Sequence, residues 1–386
     1  MAKKRRVRKK VKIVFGVLFL LAGISCIGIG LNSGILFKKP EKPKIYPDIP
    51  RPVVEESELS LVMVGDALIH GAVYDMAKSG NGYNFKPMFT EIKPTIKKYD
   101  LAFYNQETIL GGSKLGLSSY PMFNSPYEVG DAFMDMGFNL VSLATNHTLD
   151  RGFTAIKNSR DYWNKQEGVI AAGSYASQKE KDEVVIQEKN GIKYGLLAYT
   201  TLTNGLYREA GKDYSLDVYD KELVKKDVEK LRDKVDLLMV SMHWGIEYSH
   251  SVSQEQKEIA KYLSSLGVDI IIGTHPHVVE PIEFIDDTLV IYSLGNFISA
   301  QIGIERLSGL IAAVDIKKTT IDGKSTIELS NVSADMIYTC TWQVCGNFKV
   351  YPYNKLTNKI LYNHESYYNN YMKIVKSLDK NIKPIF

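Results

Sequence analysis

The sequence predicts an α/β domain carried behind an N-terminal membrane anchor. Three observations predict it. From Leu59 onward, short apolar runs of strand length alternate with helical stretches. Histidine, carboxylate and amide side chains recur where those runs end. A basic start is followed by 25 uncharged residues, 13–37. The 386 residues can bury a substantial core and by length alone allow two or three domains. A composition of 45% hydrophobic and 24% charged residues is globular rather than disordered.

Residues 1–12 hold eight of the 48 Lys and Arg and no acid, which leaves 40 basic against 44 acidic residues beyond them. That balance offers no basic face for a phosphate backbone, so nucleic acid is excluded as a partner. The uncharged run can cross a hydrocarbon core of roughly 30 Å as a helix. Its basic flank keeps residues 1–12 in the cytoplasm and sends everything after Lys38 outside. The run exceeds a signal-peptide core and lacks a small-residue cleavage site. Gly23-Ile24-Ser25 before Cys26 also lacks the large aliphatic residue of a lipoprotein signal. The expectation is therefore an uncleaved, single-pass protein of the cell membrane. Residues 38–57, with five of the chain's 13 prolines, read as an extended tether.

The strand candidates in order are 59–65, 100–105, 138–144, 168–173, 194–200, 235–242, 268–273 and 288–295, with two more near 309–317 and 325–333. Helices fall between them. Ser125-Pro126-Tyr127-Glu128 offers a cap, a first-turn proline and a capping-box acid, with Gly137 as the stop. Ser253 and Gln256 offer a second box, closed by Gly267, and Asn190-Gly191 reads as a tight hairpin. The expected domain spans 58–333, and 334–386 forms a Tyr- and Asn-rich C-terminal extension. Cys340 and Cys345, five residues apart in an exported segment, either close a small disulfide loop or remain free thiols.

Ligand-type residues gather at one end of the strands. Asp66 follows the first; Asn105 and Glu107 end or follow the second; Asn146 and His147 follow the third. His243, then His275 and His277, then Asn296 follow later ones. In open α/β sheets this end forms the ligand site. Five of seven histidines lie in these loops, His70 among them. Imidazole and carboxylate donors without thiolate suit Zn, Mn or Fe. His275-Pro276-His277, read as extended, points both rings to one side. Adjacent Asn146 and His147 diverge, which suits an amide on metal and an imidazole on substrate, with Asp150 placed to orient His147.

Gly65-Asp66, Asn105-Gln106-Glu107, Ala144-Thr145-Asn146-His147-Thr148-Leu149-Asp150, His243-Trp244-Gly245-Ile246-Glu247-Tyr248, Gly273-Thr274-His275-Pro276-His277 and Ser293-Leu294-Gly295-Asn296-Phe297 occur in that order. Together they resemble the poly-γ-glutamate capsule-synthesis A (CapA) family over about residues 59–300. The resemblance implies the calcineurin-like metallophosphoesterase superfamily, a two-sheet (α/β/β/α) sandwich. It implies metal ligation by Asp66, Glu107, Asn146, His243, His275 and His277, and a general-acid or charge-stabilising role for His147. One or two divalent transition metal ions, Mn, Zn or Fe, are both consistent with the set. His70, Asn105, Trp244, Glu247 and Asn296 stand as supporting or substrate-contacting residues, Trp244 and Glu247 equally as packing residues.

Two departures matter. The superfamily's Asp-x-His is here Asp66 and His70 with three residues between them, and the bridging carboxylate is a glutamate, Glu107. Three functions follow as expectations. The first is a metal-dependent hydrolase or transferase acting on an anionic γ-glutamyl polymer or on a phosphoester. The second is an accessory subunit beside poly-γ-glutamate synthase or export subunits. The third is a binding module without turnover, against which the intact His147 and Asp150 argue.

Overall fold

A computed structural model of the protein describes residues 53–386. The expected basic segment, the anchor 13–37 and nearly all of the tether lie outside the described residues. No helix of the described residues is long and apolar enough to cross a membrane.

In chain order the strands are β1 (Val54–Ala67), β2 (Lys78–Ser79), β3 (Gly82–Tyr83), β4 (Leu101–Asn105), β5 (Leu140–Ser142), β6 (Ile170–Ala172), β7 (Gln187–Lys189) and β8 (Ile192–Thr200). They continue as β9 (Leu237–His243), β10 (Ile270–Thr274), β11 (Ile282–Ile285), β12 (Thr288–Ile291), β13 (Asn296–Ile298), β14 (Ser308–Ile321), β15 (Lys324–Cys340) and β16 (Lys349–Pro352). One sheet of eight strands runs β16-β15-β14-β1-β4-β5-β6, with β13 paired to the end of β1. A second of six strands runs β11-β12-β10-β9-β8-β7, while β2 and β3 form a separate hairpin. β1, β4, β5 and β6 are mutually parallel, as are β8, β9, β10 and β12.

Strand periodicity sorts the side chains into layers. Leu59, Leu61 and Met63 of β1 share one apolar cluster with Leu237 and Met239 of β9 and Ile270 and Ile272 of β10. This is the layer between the sheets. The intervening residues face outward: Val62 and Val64 pack with Phe133 of the helix Glu128–Met136. Val240 and Ile271 pack with Val228 and Ile259 of the helices Lys221–Arg232 and Gln254–Ser265. The layer order is thus helix, sheet, sheet, helix.

Most local signals are realised. Each apolar run named above contains a strand, and those near 309–317 and 325–333 become β14 and β15. The Ser253–Gln256 capping box forms in full. Asn190 and Gly191, at φ 51° and 77°, turn the hairpin between β7 and β8. The Ser125 box does not form: the helix begins at Glu128, Tyr127 occupies the cap position, and the Ser125 hydroxyl donates to Thr108 Oγ1 at 2.8 Å. A buried hydroxyl with a tertiary partner has no need of a helix end. The run 288–295 is also not one strand. β12 belongs to the second sheet and β13 to the first, so the chain crosses between sheets through Tyr292–Gly295.

β1 begins at Val54, inside the stretch read as tether, and pairs there with Ile321 of β14. The expected boundary at 333/334 falls within β15; the residues beyond it add β16 to the same sheet and lay the helix His364–Val375 against β15. Cys340 and Cys345 are joined by a disulfide.

Candidate metal centre

The carboxyl ends of β1 and β4 in one sheet, and of β9 and β10 in the other, meet across the inner layer. Asp66 is the register partner of Asn105 on one side and of Asn296 on the other. Its Oδ1 accepts from Asn105 Nδ2 at 2.8 Å, and its Oδ2 faces His277 Nδ1 at 3.2 Å. Asn296 Oδ1 lies 3.0 Å from the same His277 nitrogen. The Asn105 amide and the His277 imidazole therefore hold Asp66 in one orientation, and Asn296 shares the same His277 nitrogen.

Glu107 occupies the centre. It is fully buried, and its Oε1 stands 3.6 Å from His277 Nε2 and 3.9 Å from His243 Nε2. Neither of its oxygens has a hydrogen-bond partner in the structure, and neither has the buried His275 Nδ1. Buried polar atoms are almost always paired, and an unpaired carboxylate is costly. Donor atoms of Glu107, His243 and His275 lie within 4.8 Å of one another, as do those of Asp66, Glu107 and His277. Two donor groups share the Glu107 carboxylate, and together they could hold one or two divalent cations. The nitrogen and carboxylate donors suit Mn, Zn or Fe.

Burial and the mutual closeness of these groups set their titration. Burial pushes the Glu107 carboxyl well above the usual range. Burial, with the neighbouring His275, His277 and His147, depresses His243 well below its usual value, and burial with His277 and His147 lowers His275 to about 3. Those two imidazoles are therefore neutral, the form that ligates. Burial also acts against the charge on His277, but Glu107 and then Asp66 outweigh it and raise it to about 9.

Asn146 and His147 diverge as their adjacency requires. Asn146 Oδ1 meets His243 Nε2 at 2.9 Å, whereas His147 turns to the cleft and places Nδ1 2.7 Å from Asp150 Oδ2. The Phe123 N–H donates to the same Asp150 oxygen at 2.7 Å. Thr145, which the sequence did not single out, ties this loop down: its hydroxyl donates to the Glu107 carbonyl at 2.8 Å and accepts from the His147 N–H at 3.1 Å.

The two histidines after β10 converge, though not by extension. His275 and His277 have φ 100° and 60°, so the segment is tightly turned and the rings come to 5.9 Å. Non-glycine residues with positive φ are uncommon and collect at functional sites.

His147 opens onto a cleft of 420 Å³, walled also by His70, Phe123, Glu247, Tyr248 and Gln301. His70 is in none of the donor groups; its Nδ1 lies 3.1 Å from the Leu68 carbonyl. Trp244 is fully buried in the outer core and donates from Nε1 to the Tyr292 carbonyl at 2.9 Å, so it packs rather than faces the cleft. Glu247 is exposed at the cleft, close to His275 and His277. Asn204, Tyr248 and Gln301 of the cleft wall lie in irregular loops and follow no strand-end pattern, so periodicity could not have found them.

The chain is similar to known proteins. The "PGA biosynthesis protein CapA" of Bacillus subtilis (strain 168) is 26% identical over 301 residues, 77% of this chain and 74% of that one. The "Capsule biosynthesis protein CapA" of Bacillus anthracis is 28% identical over 256 residues, 64% of this chain and 61% of that relative's length. A solved structure, the calcineurin-like phosphoesterase YfkN from Bacillus subtilis, overlaps 83% of this chain and 100% of its own at 15% identity and a TM-score of 0.45. That overlap is too loose to argue about ligand or substrate. The family described as "Bacterial capsule synthesis protein PGA_cap" matches residues 60–301, which contain every side chain of the centre, and the chain belongs to that family.

Proposed function

We propose that this capsule-synthesis family member is a metal-dependent hydrolase of the metallophosphoesterase type. It is anchored at the cell membrane with its domain outside, and it acts on poly-γ-glutamate or a related envelope polymer during synthesis or release. The observation that carries the reading is Glu107, a fully buried carboxylate with two unpaired oxygens among His243, His275, His277 and Asp66. Support for the polymer comes from the family and from the names of its two Bacillus relatives. Synthase or export subunits are the partners this reading calls for.

Asp66, Glu107, Asn146, His243, His275 and His277 would hold the metal. A bound divalent ion supplies positive charge that polarises the scissile group and eases ionisation of water. The chain's own part lies with His147. Asp150 Oδ2, fixed by the Phe123 N–H, accepts from Nδ1 and leaves Nε2 to meet the substrate. An imidazole so oriented delivers a proton to the leaving group as its bond to the attacked centre breaks. Phe123 sets its ring edge-on at 4.7 Å and shields the pair from water on that side.

The test is His147→Ala. It should keep bound metal and lose about 10²–10⁴-fold in turnover, measured on γ-glutamyl polymer and on phosphoesters. Loss of metal together with activity would make His147 a ligand. Phosphoester cleavage by the wild type, abolished in the variant while cells show no polymer defect, would move the reading to a phosphoesterase of an envelope metabolite. No effect on either would leave a non-catalytic accessory subunit.

A further inference from the structure

The geometry points to Glu247 as a further metal ligand, able to share an ion with His275 and His277. This inference rests on the metal-centre reading and adds a residue to it. Three observations support it.

The first is a shortage. The histidine that an Asp-x-His motif would supply is displaced to His70 in this chain, and His70 is not among the clustered donors. Its Nδ1 is taken up locally, 3.1 Å from the Leu68 carbonyl and 3.3 Å from the Ala300 N–H. Among the described residues Asp66 clusters with two other such donors, Glu107 and His277. The second is proximity. One carboxylate oxygen of Glu247 and one nitrogen each of His275 and His277 all lie within 4.8 Å of one another.

The third is that the Glu247 loop is built onto the ligand loop. The Trp244 N–H donates to the Thr274 carbonyl at 3.1 Å, and the Tyr248 N–H donates to the Pro276 carbonyl at 2.8 Å. Glu247 thus leaves a backbone stitched to the peptide between the two histidines. Gly245 makes the turn at φ 90°, where a Cβ would sit 2.8 Å from Gln256 Nε2. Tyr248, itself at φ 65°, is capped by the Arg306 guanidinium 4.6 Å from its ring centre and reached by Gln301 Nε2 at 3.4 Å. An ordinary solvated carboxylate has no need of such a support, whereas a ligand does. Glu247 would be the solvent-side member of an otherwise buried donor set.

The experiment is a Mn(II) titration of the full chain in detergent, followed by electron paramagnetic resonance and metal analysis, for wild type and Glu247→Gln. Glu247 is exposed, so the apoprotein melts should coincide. The expected result is at least about tenfold weaker Mn(II) binding at one site. Equal stoichiometry and affinity in the two proteins would overturn the assignment and leave the metal centre standing. A wild type that takes up no Mn(II), Zn(II) or Fe(II) would remove the metal-centre reading itself.

Discussion

Glu107 and Glu280 are both fully buried carboxyl groups lifted by burial, but they face different surroundings. Glu107 looks at imidazoles. Glu280 meets one donor, Gln256 Nε2 at 2.6 Å, keeps Oε1 unpaired, and is raised to about 8. A carboxyl whose folded pKa lies above its unfolded value near 4.5 stabilises the fold while protonated. That contribution is complete below about pH 4.5 and is lost as pH rises through about 8. Glu280→Gln should remove this slope. It should exceed wild type in stability by a few kcal/mol, in order of magnitude, at pH 9, and the gap should close towards pH 5. Denaturant melts across that range measure it; a gap that widens towards acid would refute the argument. Residue identities such as Asp66, His243 and Asp150 were legible because strand ends collect chemistry. The turned backbone of His275 and His277 was not, because positive φ at a non-glycine residue is uncommon.

At the scale of elements, the strands were legible and their partners were not. Continuous apolar, fully buried runs mark β1, β9 and β10 plainly, but sheet order rests on pairings between distant segments. The crossing after β12 shows what this hides. Read as one strand, residues 288–295 would leave Asn296 in the second sheet. The crossing at Tyr292–Gly295 instead sets it beside Asp66. Two glycines admit the crossing chain. A Cβ on Gly65 would lie 1.7 Å from the Gly295 carbonyl oxygen, and one on Gly273 would lie 1.9 Å from that of Tyr292. Backbone on both sides leaves nothing flexible to yield. Gly273→Ala should therefore destabilise by about 3 kcal/mol and weaken metal binding, because Thr274 and His275 follow directly. A melt and a Mn(II) titration check both; wild-type values would show that the crossing can shift.

At the scale of the whole molecule, the described residues form one compact unit in which the C-terminal stretch completes a sheet begun by β1. The two backbone N–H groups of Ile385 and Phe386 reach Asp335 Oδ2 at 3.3 and 3.2 Å, so the end of the chain is fastened to β15. The proposed topology puts all of this outside the cell. Protease added to intact, wall-less cells should then degrade the domain, and full protection would overturn the topology. The Cys340–Cys345 bridge carries its own consequence. Cytoplasmic thiol buffers keep such pairs open, while oxidising compartments let them close. On the proposed topology the pair would record passage: a chain held back inside would keep both thiols, and one matured outside would carry the bridge.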